Sequence, residues 1–436
     1  MKPLNVLVQY ASGPSPLAAS LADLFEHPTS LIPVSVNLHH TALAEHLAWW
    51  GLRRFDSDSA YFQWQRDIIP SADLSRLTEL AQQKSAHHDD VAAEVAFYDF
   101  SVRPGVLPVL YSQRYDYYMA VGPLVADRIG AARLVLDFGC GPGILTTFYA
   151  RQFPHVDFLG IDRSAASVSM AQGRAEQLGL KNIRFERGDV DLAAPNGSYD
   201  LIIATHALLQ SEHDPGVPSA DWRTFERPKD ARLQDEFERR SGLGSRLDHL
   251  SSALTSEGRL LVFEKTRQLA RQIPFQRAFA ARRYALLAAP LPVRYTVVEE
   301  VADDGPFYVL GRTSAKRPVY EWDESPELDR DATIDIAQLS LAAAKKDQPL
   351  YENHSASAQH VWAQLSGRRI LREMTRDGSD GRQLHVERGQ AQGLCYLFCA
   401  NTFDQRQLVL VKPEQAGMLE EYYEEIVNAI DERMNR

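Results

Sequence analysis

The feature that most constrains this chain is a turn with three alternate glycines at the end of an apolar run. Residues 134–138 have the composition of a buried strand, and Asp137-Phe138-Gly139-Cys140-Gly141-Pro142-Gly143 leads from it into a stretch of helical composition. Glycine has no Cβ, so the backbone can turn tightly and a ligand can approach it closely. The unpaired N–H groups of the following helix favour a carboxylate or a phosphate. The turn therefore predicts a ligand site between strand and helix.

Strand-like and helix-like stretches alternate after this turn. Apolar runs stand at 158–162, 183–189, 199–205 and 259–264, which predicts a parallel sheet covered by helices on both faces. Two further runs, 293–301 and 307–313, predict an antiparallel hairpin with its turn at Asp303-Asp304-Gly305. The predicted fold class is α/β, with a mostly parallel seven-stranded central sheet that ends in this hairpin.

The flanking regions predict two additions to this core. We expect three parts: 1–110 as a mixed α/β and helical region, 111–316 as the core, and 317–436 as an α+β region. The first part has strand-like runs at 4–8 and 31–38 and helical stretches at 42–50 and 73–97. The last part has helices over 337–366, strands at 382–387, 394–399 and 407–412, and a helix at 414–433. It is either an independent module or a completion of the core.

Acidic residues follow the predicted strands. Asp162 stands about twenty residues after the glycine turn, where a carboxylate can bind the two hydroxyls of a ribose. These two features alone fit NAD as well as S-adenosylmethionine (SAM). The turn begins with an acid and reads D-x-G-x-G-x-G, a further acid, Asp189, ends the third strand, and the sheet closes with a hairpin. These three details favour SAM.

The sequence resembles the class I SAM-dependent methyltransferases. The resemblance is carried by LVLDFGCGPG (134–143), GIDRS (160–164), RGDV (187–190) and YDLIIATHALLQ (199–210), and it covers about half of the chain. It implies a Rossmann-like fold, SAM as the cofactor, and methyl transfer as the reaction.

The resemblance also implies roles for particular residues. The glycines would line the methionine end of SAM, Asp137 would face its ammonium or only cap the helix, Asp162 would bind the ribose, and Asp189 with Val190 would hold the adenine. The complete predicted cofactor set is Asp137, Gly139, Cys140, Gly141, Gly143, Asp162, Arg163, Asp189, Val190 and Thr205.

His206 is the residue predicted to lie beside the transferred methyl group. It directly follows the fourth strand, and ligands gather at the carboxyl ends of parallel strands. A histidine there can accept a proton near neutral pH, or it can simply pack near the adenosyl group. Tyr115 is the second candidate, with Tyr117 and Tyr118 from the same segment.

The methyl acceptor is predicted from charge and from loops. Lys and Arg number 47 against 58 Asp and Glu, a net charge of −11, which disfavours nucleic acid as a partner. A small-molecule acceptor is favoured. The basic stretch that contains Arg271 and Arg277 is either a solvated helix face or a site for an anionic acceptor. The alternatives are a protein acceptor that docks on 317–436 and a SAM-binding regulatory protein without turnover. The long insert after Gln210 is expected to act as a lid over the site.

Location and metal content follow from simpler patterns. No run of eighteen apolar residues is present, so neither a membrane span nor a membrane partner is expected, and a cytoplasmic protein is predicted. No metal site is expected, because the four adjacent residues His87-His88-Asp89-Asp90 cannot all face one ion on a helix, and His39-His40 has the same status.

Overall fold

A computed structural model describes residues 34–86, 90–209, 214–313, 319–344, 348–378 and 381–434. The expected strand at 4–8 and the cluster His87-His88-Asp89 lie outside these residues. Among the helices of the described ranges, none combines the length and the apolar character that crossing a membrane requires.

The described residues form fourteen α-helices and thirteen strands. The helices are α1 (Val34–Trp49), α2 (Asp58–Ile68), α3 (Ser71–Ala86), α4 (Val91–Ser101), α5 (Leu107–Ser112), α6 (Tyr115–Ile129), α7 (Ile144–Gln152), α8 (Ala165–Gln177), α9 (Ala231–Arg240), α10 (Leu243–Ala253), α11 (Leu269–Ala281), α12 (Ile336–Leu341), α13 (Ala356–Gln364) and α14 (Ala416–Met434). The strands are β1 (Leu134–Phe138), β2 (Asp157–Asp162), β3 (Ile183–Arg187), β4 (Tyr199–Thr205), β5 (Leu254–Phe263), β6 (Tyr284–Leu286), β7 (Leu291–Val297), β8 (Glu300–Arg312), β9 (Tyr351–Asn353), β10 (Arg369–Asp377), β11 (Gln383–Ala391), β12 (Leu394–Asn401) and β13 (Arg406–Val411).

The chain divides into two compact units. The first comprises Met1–His213, Arg239–Lys265 and Ala278–Glu321, and the second comprises Asp214–Glu238, Thr266–Arg277 and Trp322–Arg436. Both units are therefore built from separated stretches of the chain. The three-part division expected from the sequence stays a prediction.

The first unit contains the predicted Rossmann-like sheet. Its strand order is β3-β2-β1-β4-β5-β8-β6, with β7 paired to β8. Strands β1 to β5 run parallel, while β6, β7 and β8 are antiparallel additions, which confirms the predicted fold class. The described sheet has eight strands instead of seven, because the short β6 pairs with the far end of β8. Strand order reverses between β1 and β4, the point where open α/β sheets bind ligands.

The turn of the predicted hairpin lies elsewhere. Strands β7 and β8 are joined through Val298, whose φ is 58°, whereas Asp303, Asp304 and Gly305 lie inside β8. Asp303 pairs in register with Arg294 and forms an ion pair with it at 2.9 Å, beside a β-bulge. An Asp-Asp-Gly sequence is typical of a turn, but this cross-strand pairing keeps it in the strand.

Helices precede the sheet in the described part of the N-terminal region. Val34–Leu38, predicted as strand, begins α1, which packs against α6 and α7. His46 of α1 is fully buried, with Nε2 2.9 Å from the carbonyl oxygen of Ile144 at the start of α7. Burial lowers the pKa of His46 to about 4, so its ring is neutral at physiological pH. The tertiary contacts of this helix outweigh the β-branched residues Val34 and Val36 at its start.

The second unit is built on an antiparallel sheet with the order β10-β11-β12-β13-β9. Helix α13 packs with one apolar face, which includes Phe398 and Leu408, and α14 packs with the other, which includes Leu397 and Val409. The sequence predicted β11, β12, β13 and α14 but missed two strands. Strand β10 is almost wholly exposed, so it lacks the apolar alternation of a half-buried strand. Strand β9, only three residues long, interrupts the helices expected over 337–366.

The described part of the insert after Gln210 belongs to the second unit. Trp222 is 4% exposed and its ring stacks on that of His385 at 3.7 Å, while the Ser219 N–H donates to the Thr402 carbonyl at 2.8 Å. Arg227 forms an ion pair with Asp404. These contacts hold residues 214–230 in a packed unit, which corrects the expectation of a mobile lid.

Truncation after Lys316 should produce an insoluble protein. The shortened chain would keep Trp222 and Ser219 but lose His385 and Thr402, so buried apolar surface of the second unit would face water. Expression of both forms, followed by centrifugation and dye binding to exposed apolar surface, measures the effect. A truncated protein that is soluble and monodisperse would contradict it.

Candidate active site

Two of the three glycines in the turn between β1 and α7 pack closely against neighbouring residues, and the third borders open space. Gly139, Gly141 and Gly143 all have positive φ, at 72°, 54° and 80°. A Cβ on Gly139 would lie 2.4 Å from the Ala207 Cβ, and one on Gly143 would lie 2.8 Å from the Ala171 Cβ. A Cβ on Gly141 would meet no heavy atom within 4 Å. The space beside Gly141 is therefore where a ligand can approach the backbone.

Asp162, at the end of β2, is bound to this turn. Its carboxylate accepts hydrogen bonds from the Gly141 N–H at 2.9 Å and the Ser164 N–H at 2.8 Å. Asp99 of α4 supports the same loop, accepting from the Ser164 hydroxyl at 2.6 Å. Burial raises the pKa of Asp162 above its usual value, while the two backbone donors oppose that change. The carboxylate oxygens retain further lone pairs that can accept hydroxyl hydrogen bonds.

Asp137 lies beneath the turn, in the last part of β1. It is 5% exposed and accepts a hydrogen bond from the Thr146 hydroxyl at 2.6 Å. Burial raises its pKa to about 7, and the nearby Asp162 carboxylate adds to the rise. A cation placed here would favour the ionised form of this group.

Two predicted cofactor residues, Arg163 after β2 and Asp189 after β3, belong to a network of ion pairs. Arg163 donates from Nε to Asp189 at 3.0 Å and also pairs with Asp191 and Glu94. Asp191 is held in turn by Arg246 of α10 at 2.6 Å. The contacts of the Asp189 carboxylate with Arg163 and with the Asp191 N–H involve Oδ1, and its role toward the adenine stays a prediction. Arg163 pairs with three carboxylates of the protein, and its role toward a cofactor stays a prediction.

Val190 is buried, and Cys140 packs in an apolar cluster. Val190 is 2% exposed, and its carbonyl accepts a hydrogen bond from the His249 ring. Cys140 packs with Phe185 and Ala171, and burial raises the pKa of its thiol well above the usual value. The cysteine is therefore a neutral packing residue at physiological pH.

His206 has a strained backbone and aromatic neighbours. Its φ is 53°, in the left-handed region that non-glycine residues rarely adopt, and its N–H donates to the Phe263 carbonyl at 2.8 Å. Its ring stacks on Tyr117 at 4.9 Å and lies 5.1 Å from the ring of Phe263. Thr205, just before it, ends β4. Strained residues of this kind often mark functional sites.

A carboxylate on the closing hairpin faces this histidine. Asp304 Oδ2 lies 3.0 Å from His206 Nε2 and also accepts a hydrogen bond from the Tyr295 hydroxyl. Burial lowers the pKa of His206 although Asp304 opposes it, and contacts with His206 and Tyr295 lower the pKa of Asp304. At neutral pH the pair is a neutral imidazole beside a carboxylate.

Of the three candidate tyrosines, Tyr117 has its ring against His206. Burial raises the pKa of Tyr117 to about 12, so it stays protonated. Tyr115 is only partly buried, and its pKa is raised by burial and by the adjacent Asp116. The structure thus brings together His206 and Tyr117. The role of Tyr115 stays a prediction.

Sequence reasoning missed Arg114. Its guanidinium lies 5.8 Å from the centre of the Tyr117 ring, and its charge acts on His206 and on Tyr295. Within the described parts of the chain it makes neither a side-chain hydrogen bond nor an ion pair. An arginine in the middle of a tyrosine-rich segment carries no motif, and only its tertiary position reveals it.

The basic stretch that the sequence singled out is already paired. Arg277 forms a two-pronged contact with Glu324 at 2.8 and 2.9 Å, and Arg282 pairs with Asp248 at 2.7 Å. Arg271 donates to the Asp214 carbonyl at 2.5 Å. These contacts give no support to the idea that the stretch binds an anionic acceptor.

Comparison with known proteins agrees with this geometry. The family model described as a methyltransferase domain matches residues 130–270, which contain the glycine turn, Asp162 and His206. The chain contains a methyltransferase domain. This match confirms the resemblance to class I SAM-dependent methyltransferases, and the family implies SAM as the methyl donor.

The individual relatives match only part of the chain. Trans-aconitate 2-methyltransferase of Deinococcus radiodurans is 39% identical over 88 residues, which are 20% of this chain and 32% of that protein. Release factor glutamine methyltransferase of Geobacter sulfurreducens is 30% identical over 123 residues, 28% of this chain and 38% of that protein. The chain thus spans about a third of the length of each. The solved N-methyltransferase NodS of Bradyrhizobium japonicum, in complex with S-adenosylhomocysteine, is 15% identical with a TM-score of 0.30, covering 44% of this chain and 85% of that one.

Alanine at Gly139 and alanine at Gly141 should have different effects in the methyltransferase domain. Both substitutions place a side chain at positive φ, which costs roughly 1–2 kcal/mol. Gly139→Ala adds a collision with Ala207, so its thermal unfolding midpoint should fall further than that of Gly141→Ala. Gly141→Ala should fold but fill the open space beside the turn. Equal losses of stability in the two variants would show that neighbouring atoms do not distinguish these glycines.

Proposed function

We propose that this protein transfers the methyl group of SAM to a small-molecule acceptor. The observation that carries the proposal is that the open Gly141 turn, the Asp162 carboxylate and His206 follow neighbouring strands β1, β2 and β4. Parallel strands end at the same edge of the sheet, so the three groups share one edge.

The residues present fit SAM. The space at Gly141 would admit its methionine end, Asp162 would accept hydrogen bonds from the ribose hydroxyls, and Asp137 would offset the charge of its ammonium. The buried Val190 would supply an apolar wall for the adenine. SAM supplies, when bound, a methyl group on a positively charged sulfur, so the protein mainly has to exclude water and align the acceptor.

SAM affinity should fall on the order of tenfold as the pH is lowered from 7.5 to 5.5. The raised pKa of Asp137, about 7, means that the carboxyl is protonated below that pH, and binding of an ammonium favours its ionised form. Affinity is therefore greatest above pH 7 and is lost as the pH falls. Asp137→Asn should remove this dependence. Titration calorimetry at several pH values measures both.

The matched control is Asp157→Asn, which changes an exposed aspartate at the start of β2 and should keep the wild-type pH dependence. Asp162→Ala should weaken SAM binding by roughly 1.5–3 kcal/mol, the contribution of hydrogen bonds to a charged acceptor. Failure of the wild-type protein to bind SAM at any pH, with binding of NADH instead, would refute the proposed cofactor.

The acceptor is proposed to lie against Tyr117, Tyr295 and His206. Asp304 lies beside Nε2 of His206, which favours a proton on that nitrogen and leaves Nδ1 free to accept one. Within the described residues, Nδ1 and Nε2 are both buried and neither makes a hydrogen bond, so the Asp304 carboxylate acts on Nε2 through its charge, at 3.0 Å. His206 would thus accept the acceptor proton through Nδ1, with Asp304 as a positioning residue that stabilises the resulting imidazolium.

Arg114 supports an anionic acceptor. Its guanidinium is surrounded by tyrosines and makes no ion pair within the described residues. A carboxylate would stabilise this charge most, because arginine can bind a carboxylate with two parallel hydrogen bonds. The name of one relative, trans-aconitate 2-methyltransferase, agrees with an organic anion as acceptor. The substrate class we propose is a small carboxylic acid with a second, methylatable group.

Turnover is measured as release of S-adenosylhomocysteine, with hydroxylated carboxylic acids and with their methyl esters as acceptors. We expect turnover with the free acids and little with the esters, which lack the carboxylate. His206→Asn should lower kcat at least tenfold, within the usual contribution of a general base, and flatten the acid limb of the pH profile. Asp304→Asn should move that limb to lower pH, because the carboxylate raises the pKa of His206. Arg114→Gln should raise the KM of the acids and leave SAM affinity unchanged.

Arg133→Gln serves as the control for the loss of one arginine, since this residue is exposed and directly precedes β1. A wild-type kcat in His206→Asn would remove His206 as the base. Release of S-adenosylhomocysteine only on addition of a protein substrate would favour protein methylation, which the relative named release factor glutamine methyltransferase represents. Bound SAM without turnover on any acceptor would favour a regulatory role.

A further inference from the structure

Four polar side chains of the second unit lie together on one face of its sheet. Glu373 and Thr375 of β10 stand directly opposite Glu387 and His385 of β11 in the antiparallel register. Residues two apart in a strand point to the same face. One ligand atom each from Glu373, His385 and Glu387 lies within 4.8 Å of the others.

The two carboxylates of this group stand directly opposite each other on neighbouring strands. Glu387 is 3% exposed, and its Oε1 accepts hydrogen bonds from the Tyr396 hydroxyl and from Trp362 Nε1 at 3.3 Å, donors that stabilise the ionised form. Glu373 stands opposite it and has neither a hydrogen bond nor an ion pair among the described residues. Like charges directly opposite each other destabilise a sheet.

The distances suit a metal ion better than a direct hydrogen bond. His385 Nε2 lies 3.4 Å from Glu387 Oε2, longer than a good hydrogen bond between these atoms. Two ligand atoms at about 2.0–2.2 Å from one tetrahedral ion are about 3.4 Å apart. The pair thus has the separation that a shared ion requires.

The surroundings of His385 hold its ring in place. Its Nδ1 lies 2.8 Å from the Thr375 hydroxyl, and its ring stacks on Trp222 with planes 2° apart. Such hydrogen bonding at the second nitrogen is what fixes a metal-ligating histidine, and Tyr396 and Trp362 do the same for Glu387. Glu373 is exposed and lines an open groove of about 640 Å³, which gives an ion access from solvent.

We propose that His385 Nε2, Glu387 and Glu373 bind a divalent transition-metal ion, with zinc as the representative. One histidine and two carboxylates form a ligand set found with such ions, and three protein ligands leave a fourth position open toward the groove. All three proposed ligands lie in the second unit, whereas the residues proposed to hold SAM lie in the first. Sequence reasoning looked for metal ligands among adjacent residues, whereas these come from two strands.

Zinc titration of the full-length, untagged protein tests the site. Calorimetry at pH 7 should show one equivalent of zinc bound, with affinity at least tenfold weaker in Glu373→Gln and lost in His385→Gln. Zinc should also raise the thermal unfolding midpoint of the wild type, because an ion that binds only the folded state stabilises it. Glu373 is exposed, so its variant should fold normally, and circular dichroism verifies this.

Glu352→Gln is the matched control. It removes the carboxylate of an exposed glutamate–histidine pair, in which Glu352 lies 2.8 Å from His354 Nε2, and should leave zinc binding unchanged. The proposal is overturned if the wild type takes up no zinc, or if Glu352→Gln and Glu373→Gln weaken binding equally, which would indicate unspecific surface binding. SAM binding is measured in parallel and should be the same in all variants.

Discussion

Two backbone N–H groups that donate to the carboxylate of Asp162 tie the first two loops of the sheet into one body. One comes from Gly141 in the turn after β1, and the other comes from Ser164 after β2. The N–H groups of Gly139 and Cys140 reinforce the link by donating to the Ile161 carbonyl at 2.9 and 3.1 Å. Because the glycine turn is held by β2 as well as β1, its position does not depend on a ligand, and the edge of the sheet is preorganised.

The same edge concentrates negative charge in a dry environment. Asp137 and Asp162 are both buried, each with a raised pKa, and the second contributes to the rise of the first. Two carboxylates in such a place oppose each other's ionisation, so the protein without ligand holds one of them near its titration point. A positively charged ligand relieves this unfavourable arrangement. Binding of a cation beside them would recover part of the free energy that the fold loses by burying these acids.

The sequence predicts position best where the surroundings are local and worst where they depend on distant contacts. The turn from Gly139 to Gly143 and Asp162 follow β1 and β2 as predicted, because local spacing alone defines these positions, and their roles toward SAM stay predictions. Asp304 was read as a turn residue, since its partner His206 lies almost a hundred positions earlier and only strand pairing brings them close. Strand β10 was missed because an exposed edge strand has no apolar alternation, and Glu373 was missed with it. His385 lies on the predicted β11, but its position opposite β10 could not be recognised without that strand. Val34 was assigned to a strand on side-chain shape, which the packing of α1 overrules.

The interleaving of the two units along the chain has a consequence for biosynthesis. Trp222 and Ser219 leave the ribosome long before the partners that cover them, and the hydrogen bond from Ser219 to Thr402 closes a loop of 183 residues. Contacts of such separation form slowly, because the entropy of loop closure is lost before any contact is gained. The segment that contains Ser219 and Trp222 must therefore wait while about two fifths of the polypeptide is made. This architecture makes the newborn chain a natural client for chaperones that shield apolar segments during translation.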